Sequence, residues 1–187
     1  MSADTPPVRI LSGIQPWWFV VIHLGKNIEN RRTPLLGRHE SRYRGEVLLH
    51  ASKSKGTTTD WKHWEEAHDF VMDRFGAALA DRIPPIGQLP MGGIVGRATV
   101  IGLVRPWFPT WKSGSASQPS VLDEEAQARA LAAYPAGVDP RWHMREQNGY
   151  LLSGARSTPF VPWRGGQSAV LAPQALLTAV EQEDLLS

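Results

Sequence analysis

The feature that most limits how this sequence can fold is a charged stretch held between two apolar segments. In Gly25-Lys26-Asn27-Ile28-Glu29-Asn30-Arg31, two bases and one acid lie within six residues. The apolar segment 16–22, with two tryptophans, precedes it, and the strand-like segment 47–51 follows it. Charges between buried elements need a partner, because an isolated buried charge is costly. We therefore expect either an ion pair that fixes a turn or a pocket for an anionic or base-bearing ligand.

Local geometry allows the three charged side chains to meet. Residues 17–24 predict a short buried helix, which Gly25 is suited to end. If residues 27–31 are extended, the side chains of Glu29 and Arg31 share one face of the strand. Lys26 lies at the bend after Gly25, from which its side chain can converge with the other two.

Composition narrows the class of protein. The 187 residues are 42% hydrophobic, which fits one globular domain. The net charge is only +2, but bases dominate residues 25–55 and acids dominate residues 60–82, a pattern compatible with one anion-binding face or with ordinary surface mixing. The absence of cysteine excludes disulfides, cysteine-ligated zinc and a thiol nucleophile. No signal peptide and no spanning segment are recognised, so we expect a cytoplasmic protein with no membrane contact.

The order of predicted elements indicates an α+β fold. Residues 1–7 are interpreted as a flexible tail and residues 8–187 as a single domain, with helical and loop insertions at about 57–90 and 105–146. Short strands interleaved with helices predict a small curved sheet or mixed β-barrel flanked by helices. The predicted strands are 8–11, 27–31, 45–52, 92–104, 149–153 and 168–171, and the predicted helices are 17–24, 60–82 (capped by Asp60), 122–134 and 173–183.

Common catalytic signatures are missing from the sequence. It has no Gly-x-Ser-x-Gly elbow and no phosphate-binding P-loop. His63 and His68 are five residues apart, which is not the one-face spacing of a zinc-binding helix. We therefore expect no metal site and no cofactor.

Bases interleaved with aromatic residues indicate nucleic-acid binding. Lys and Arg side chains neutralise phosphates, and an aromatic ring stacks on an unpaired base with about 1–3 kcal/mol. Single-stranded or flipped-out nucleotides suit this mixture. The alternative is that the tryptophans are core residues and that the charges form structural ion pairs. The candidate residues are Lys26, Arg31, Arg44 and Lys53 for phosphate, and Trp17, Trp18, Tyr43 and Trp163 for stacking.

Lys26 also allows a catalytic interpretation. Burial and a neighbouring cation would lower its pKa, so that it could act as a base or a nucleophile, whereas a salt bridge to Glu29 would raise the pKa and leave Lys26 a positioning charge. The sequence leaves both alternatives open.

The ordered motifs resemble the ASCH domain family of the PUA-like superfamily over about residues 10–172. The resemblance rests on the Gly-Lys-x-x-Glu-x-Arg element at 25–31 within an ordered set of shorter motifs. The other motifs are Ile14-Gln15-Pro16-Trp17, Tyr43-Arg44-Gly45, Leu48-Leu49-His50-Ala51-Ser52-Lys53, Gly92-Gly93-Ile94-Val95-Gly96, Gly149-Tyr150, Pro159-Phe160-Val161-Pro162 and Gly165-Gly166-Gln167.

This resemblance implies a small PUA-like β-barrel flanked by helices, with a cleft lined by the Lys-Glu-Arg element. It implies binding of RNA, single-stranded nucleic acid or a modified nucleotide. Some members are enzymes, since one branch deacetylates N4-acetylcytidine and others are ribonucleases. The deacetylating branch has Thr three residues after the Lys, where this chain has Glu29, and the missing hydroxyl nucleophile favours binding over that activity.

The leading expectation is therefore a nucleic-acid-binding module. Its expected binding residues are Trp17, Lys26, Glu29, Arg31, Tyr43, Arg44 and Lys53. A second hypothesis is a hydrolase acting on RNA or a modified nucleoside, in which Lys26 or Lys53 is the base, Tyr43 assists and Glu29 completes the catalytic set. A third is an adaptor in which the Trp107–Trp111 loop, within residues 105–120, and the acidic helix at 60–82 hold a protein partner.

Overall fold

A computed structural model describes residues 6–32, 43–105, 131–132, 134–144, 146–165 and 170–186. Within these ranges the chain is a mixed α/β structure in which a six-stranded sheet curls into a half-barrel, with helices packed against it. The strands are β1 (Arg9–Gly13), β2 (Ile28–Arg31), β3 (Gly45–Ala51), β4 (Gly93–Val104), β5 (Asn148–Pro162) and β6 (Val170–Leu171). The helices are α1 (Trp17–His23), α2 (Thr57–Phe75), α3 (Ala77–Ala80) and α4 (Gln174–Leu186), with 3-10 turns at Ile86–Gln88 and Pro140–Trp142.

The sheet has the order β2-β5-β4-β3-β1-β6. β1 runs parallel to β3, and the other neighbouring pairs are antiparallel. The pairing register of β4 with β5 shifts between Ile94 and Gly96, where an added Cβ would lie 2.5 Å from the carbonyl oxygen of Arg156. Such bulges bend a sheet. The predicted curved sheet with helices is confirmed, although in the described residues β2 and β6 remain as two edges of a half-barrel.

The sheet is covered on both faces, as strand alternation requires. Leu49 and Leu152 face α1 on one side, where Trp18 is fully buried. Leu48 points to the opposite face, where it packs against Val180 of α4. Across the described ranges, no helix combines the length and the apolar character that crossing a bilayer requires.

The helix predicted for residues 60–82 is wrong at both ends. α2 begins at Thr57, and the Asp60 carboxylate accepts hydrogen bonds from Ser54 and from the backbone N–H of Lys55 instead of capping the helix. α2 ends before Gly76, whose φ of +88° breaks the helical path well before the prolines at 84–85. Trp61 of α2 does not belong to the core, because it is 45% exposed.

The C-terminal half also differs from the expectation. Residues 149–153 and 159–162 were predicted as separate segments, whereas β5 runs through both. Its pairing with β4 resumes at Arg156 after a bulge in which Gly154 has φ +59°. α1 ends as predicted just before Gly25. Residues 1–5 of the predicted tail, the predicted helix up to residue 130 and most of the insertion at 105–146 lie outside the described residues.

Candidate functional site

A cleft of about 420 Å³ opens where β2 meets the start of α1 and the segment before β5. This volume lies within the roughly 300–1,000 Å³ that small-molecule sites occupy. Four of the seven predicted binding residues line this cleft. Lys26, Glu29 and Arg31 form its floor, and Trp17 forms a wall. The complete lining is Gly13, Ile14, Trp17, Lys26, Glu29, Asn30, Arg31, Arg32, Glu66, Met144 and Gln147.

Lys26 reaches the cleft because the chain reverses after α1. Gly25 adopts φ +76°, a conformation that favours glycine, and the backbone N–H of Lys26 returns to the carbonyl oxygen of Val20 at 3.2 Å. The side chain is only 2% exposed. Its Nζ donates to the carbonyl oxygen of Ile28 at 2.5 Å and to Oε2 of Glu29 at 3.0 Å. The predicted convergence of Lys26 with the strand is confirmed.

Glu29 and Arg31 share one face of β2, as alternation predicts. Oε1 of Glu29 lies 2.8 Å from Nη2 of Arg31, so the carboxylate is bound on one oxygen by Arg31 and on the other by Lys26. Nη2 of Arg31 also donates to the carbonyl oxygen of Ser12 at 2.6 Å. The expected ion pair is therefore present, and it forms the floor of a cleft rather than an isolated turn.

The pKa values of Lys26 and Glu29 are both lowered, which favours the neutral form of the amine and the charged form of the carboxyl group. Burial lowers the pKa of the Lys26 amine, with Arg31 adding to that effect and Glu29 opposing it. Burial alone would raise the pKa of Glu29, but the attraction of Lys26 and Arg31 and their hydrogen bonds together hold it below its ordinary value. Glu29 is therefore ionised near neutral pH, whereas burial drives Lys26 towards its neutral form.

The floor of the cleft has spare hydrogen-bond donors. Within the described ranges, Nε of Arg31 is buried and has no hydrogen-bond partner. An unmet buried donor costs about 1–3 kcal/mol, which a ligand acceptor at this position would relieve. The adjacent Arg32 is exposed and lines the same cleft, which leaves a second guanidinium group available at the rim.

The two neighbouring tryptophans have different roles. Trp17 is half-buried, lines the cleft and meets Phe70 of α2 edge-on at 5.5 Å between ring centroids. Nζ of Lys26 lies 5.4 Å from the Trp17 ring. Trp18 is fully buried, and its Nε1 donates to the carbonyl oxygen of His50 at 2.8 Å. The alternative interpretation of the tryptophans as core residues therefore holds for Trp18.

Three predicted site residues do not line this cleft. The Tyr43 hydroxyl contacts the carbonyl oxygens of Glu46 at 2.6 Å and Pro7 at 3.1 Å. Arg44 is exposed and donates to the carbonyl oxygen of Tyr43. Lys53 is exposed beyond the end of β3 and lies beside Gly92. The structure therefore assembles four of the seven predicted binding residues in one place.

Other lining residues come from segments that the sequence did not connect with the site. Asn30 accepts from the backbone N–H of Met144 and donates to the carbonyl oxygen of Trp142, both at 2.8 Å, which holds the segment 142–147 against β2. Glu66 lies in α2. In the sequence, the only indication that it lies near residues 25–31 is its negative charge. In the described part of the chain, no three His, Asp or Glu side chains are grouped closely enough to bind a metal ion.

No protein-family model matches this chain, and no curated protein matches it either. The ASCH resemblance therefore stays a prediction. The loop at 105–120, expected to hold a protein partner, lies outside the described residues apart from Arg105.

Proposed function

We propose that the protein is a nucleic-acid-binding module that takes an unpaired nucleotide of RNA or single-stranded DNA into the cleft. One observation carries the proposal: the ring of Trp17 and the guanidinium groups of Arg31 and Arg32 line the same cleft of about 420 Å³. An aromatic wall beside cations is the combination that binds a base and its phosphate. A base within a duplex cannot enter such a cleft without leaving its stack, which favours single strands.

The proposed roles follow from which atoms are already bonded. Each carboxylate oxygen of Glu29 already has a nitrogen partner, so Glu29 positions Lys26 and Arg31 instead of reading a base itself. Arg31 offers its unpartnered Nε to an acceptor on the ligand. Arg32, which is exposed, is assigned to phosphate. Trp17 is assigned to stacking because its ring is only half-buried at the cleft.

The finer fold assignment is part of the same proposal. We assign the half-barrel to the PUA-like class and the chain to the ASCH family. The support is that the Gly-Lys-x-x-Glu-x-Arg element ends in the edge strand β2, that the curl of the sheet brings Arg31 to Ser12 of β1, and that the element forms the floor of a cleft.

The hydrolase alternative receives less support from the geometry. Its expected assistant, Tyr43, uses its hydroxyl at the carbonyl oxygens of Pro7 and Glu46, and the alternative base Lys53 is absent from the lining of the cleft. A general base or acid has to lie within hydrogen-bond reach of the reacting group. Binding is therefore the better-supported function.

Fluorescence anisotropy with a dye-labelled single-stranded RNA of mixed sequence tests the proposal. Arg32→Ala is compared with Arg156→Ala, an exposed arginine outside the cleft. Loss of one phosphate contact should weaken binding and reduce the slope of log K against log salt by roughly 0.7, whereas Arg156→Ala should leave the slope unchanged. Equal effects of the two substitutions, or no binding by the unaltered protein, would overturn the proposal.

A further inference from the structure

The buried charges of the cleft do not balance when all groups are ionised. Apart from histidines, Lys26 and Glu29 are the buried ionisable residues in the described part of the chain. Arg31 is linked to them by its ion pair with Glu29. Two bases against one acid leave a surplus positive charge beside Lys26 and Glu29, whose side chains are 2% and 9% exposed. The other charged residues of the cleft, Arg32 and Glu66, are exposed and of opposite sign.

A neutral Lys26 amine removes this surplus. A guanidinium group does not lose its proton in proteins. Glu29 is held ionised by its two partners, so Lys26 is the group of the three that can lose a proton. The Glu29–Arg31 pair at 2.8 Å is then electrically balanced without it. Of the two alternatives that the sequence left open for Lys26, the charge count favours the base or nucleophile.

The hydrogen bonds of Lys26 fit a neutral amine. A neutral amine has two N–H bonds, and Nζ makes two donor hydrogen bonds, to the carbonyl oxygen of Ile28 and to Oε2 of Glu29. Together with the bond to Cε, these occupy three of the four tetrahedral positions around nitrogen. The fourth position holds the lone pair, which is the reactive part of an amine nucleophile.

We propose that Lys26 is an amine nucleophile that forms a Schiff base with an aldehyde carried into the cleft on a nucleic acid. The aldehyde is that of a ring-opened abasic sugar in single-stranded DNA, in which the lost base leaves room for the sugar carbon to approach the floor. The choice of a nucleic acid as carrier rests on the proposed binding function, whereas the reactivity of Lys26 rests on its own surroundings.

The atoms of this reaction balance. Nζ of Lys26 attacks the aldehyde carbon and forms a C–N bond, while the carbonyl oxygen takes up a proton. The resulting carbinolamine loses its hydroxyl group with a second proton as water, which leaves a C=N bond. Both protons come from Nζ, and Oε2 of Glu29, 3.0 Å away, is placed to relay one of them. Borohydride supplied in the experiment adds hydride to the imine carbon, and nitrogen takes a proton from water, which gives a stable secondary amine.

Borohydride trapping with a dye-labelled single-stranded oligodeoxynucleotide that contains one abasic site tests this proposal at neutral pH. An exposed lysine is almost wholly protonated there, since its pKa is about 10.4. We expect a covalent adduct that depends on borohydride, is lost in Lys26→Met and is retained in Lys53→Met, the matched change at an exposed lysine. An oligonucleotide with a reduced abasic site, which lacks the aldehyde, should bind without being trapped.

Peptide mapping of the unaltered protein covers the case in which Lys26→Met fails to fold. Trypsin cleaves after Arg9, Lys26 and Arg31, so an adduct on Lys26 should block one cleavage and appear on the peptide 10–31. An adduct mapped to other lysines would overturn the proposal. Binding of the abasic oligonucleotide without trapping would also overturn it while leaving the binding function intact. Absence of binding would overturn both.

Discussion

Nη2 of Arg31 donates to the backbone carbonyl oxygen of Ser12 over 2.6 Å, although three strands separate their own strands in the sheet. Arg31 ends β2 at one edge of the sheet, and Ser12 lies in β1, next to the other edge. A flat sheet would hold these strands roughly 19 Å apart, four spacings of about 4.8 Å. The hydrogen bond is therefore evidence of the curl, and the same guanidinium group joins the fold to the cleft.

Arg31→Ala should destabilise the protein markedly. The substitution removes the link to Ser12 and leaves the Glu29 carboxylate without its guanidinium partner, so that it keeps only the hydrogen bond from Lys26. Breaking a buried ion pair costs about 3–5 kcal/mol, and we expect a value near the lower end because the Arg31 side chain is 21% exposed. Urea unfolding followed by circular dichroism measures this. Arg32→Ala, at the adjacent exposed residue, is the control and should change stability by less than about 0.5 kcal/mol. Equal losses would show that the bridge contributes nothing.

Glu29→Gln should cost more stability than Lys26→Met. Removal of the carboxylate leaves Arg31 beside a buried amine with no counter-charge, with an expected loss of about 3–5 kcal/mol. Removal of a neutral amine forfeits two hydrogen bonds but keeps the Glu29–Arg31 pair, with an expected loss of about 1–3 kcal/mol. Urea unfolding of both variants at neutral pH gives the ranking. The reverse order would indicate that Lys26 is charged in the folded protein.

The contribution of Glu29 to stability should disappear in acid. Its pKa is lowered in the folded state, so the unfolded chain binds more protons as the pH falls. The stabilisation is complete above the unfolded pKa of about 4.3 and is lost as the pH drops towards the lower folded pKa. The difference in unfolding free energy between the unaltered protein and Glu29→Gln should therefore be constant above about pH 5 and narrow below pH 4.3. Glu66→Gln, at a carboxylate of the cleft that is 53% exposed, is the comparison variant at an exposed site.

Sequence patterns were sufficient for the parts of the fold that depend on neighbouring residues. Alternation in residues 45–52 predicted β3, and the apolar helix that stops at Gly25 predicted α1. The pairing of Glu29 with Arg31 followed from the two-residue period of a strand. In contrast, the position where α2 ends was wrong, because Gly76 acts before the prolines that were expected to end it.

The remainder of the site depends on distant segments. Tyr43 and Lys53 are close in sequence to residues 25–31, but they lie beyond opposite ends of β3. Tyr43 contacts Pro7 and Glu46, Lys53 lies beside Gly92, and neither lines the cleft. The wall at Met144 and Gln147 is placed by Asn30 through hydrogen bonds that span more than a hundred residues. The periodicity of a helix or strand says nothing about contacts between segments this far apart in the sequence. Residue type alone therefore could not identify Met144 and Gln147 as part of the cleft.

Trp17→Ala should weaken binding of single-stranded RNA by about 1–3 kcal/mol, roughly 5- to 150-fold in Kd, if its ring stacks on a base. The effect should be nearly independent of salt, because stacking releases no counterions, which distinguishes it from Arg32→Ala. Trp61→Ala is the matched control, since Trp61 is an exposed tryptophan of α2 that does not line the cleft. Anisotropy titrations at two salt concentrations measure the Kd of both variants. Urea unfolding measures the loss of stability that follows from the lost contact between Trp17 and Phe70. Equal affinities for the two variants would exclude Trp17 as the stacking residue.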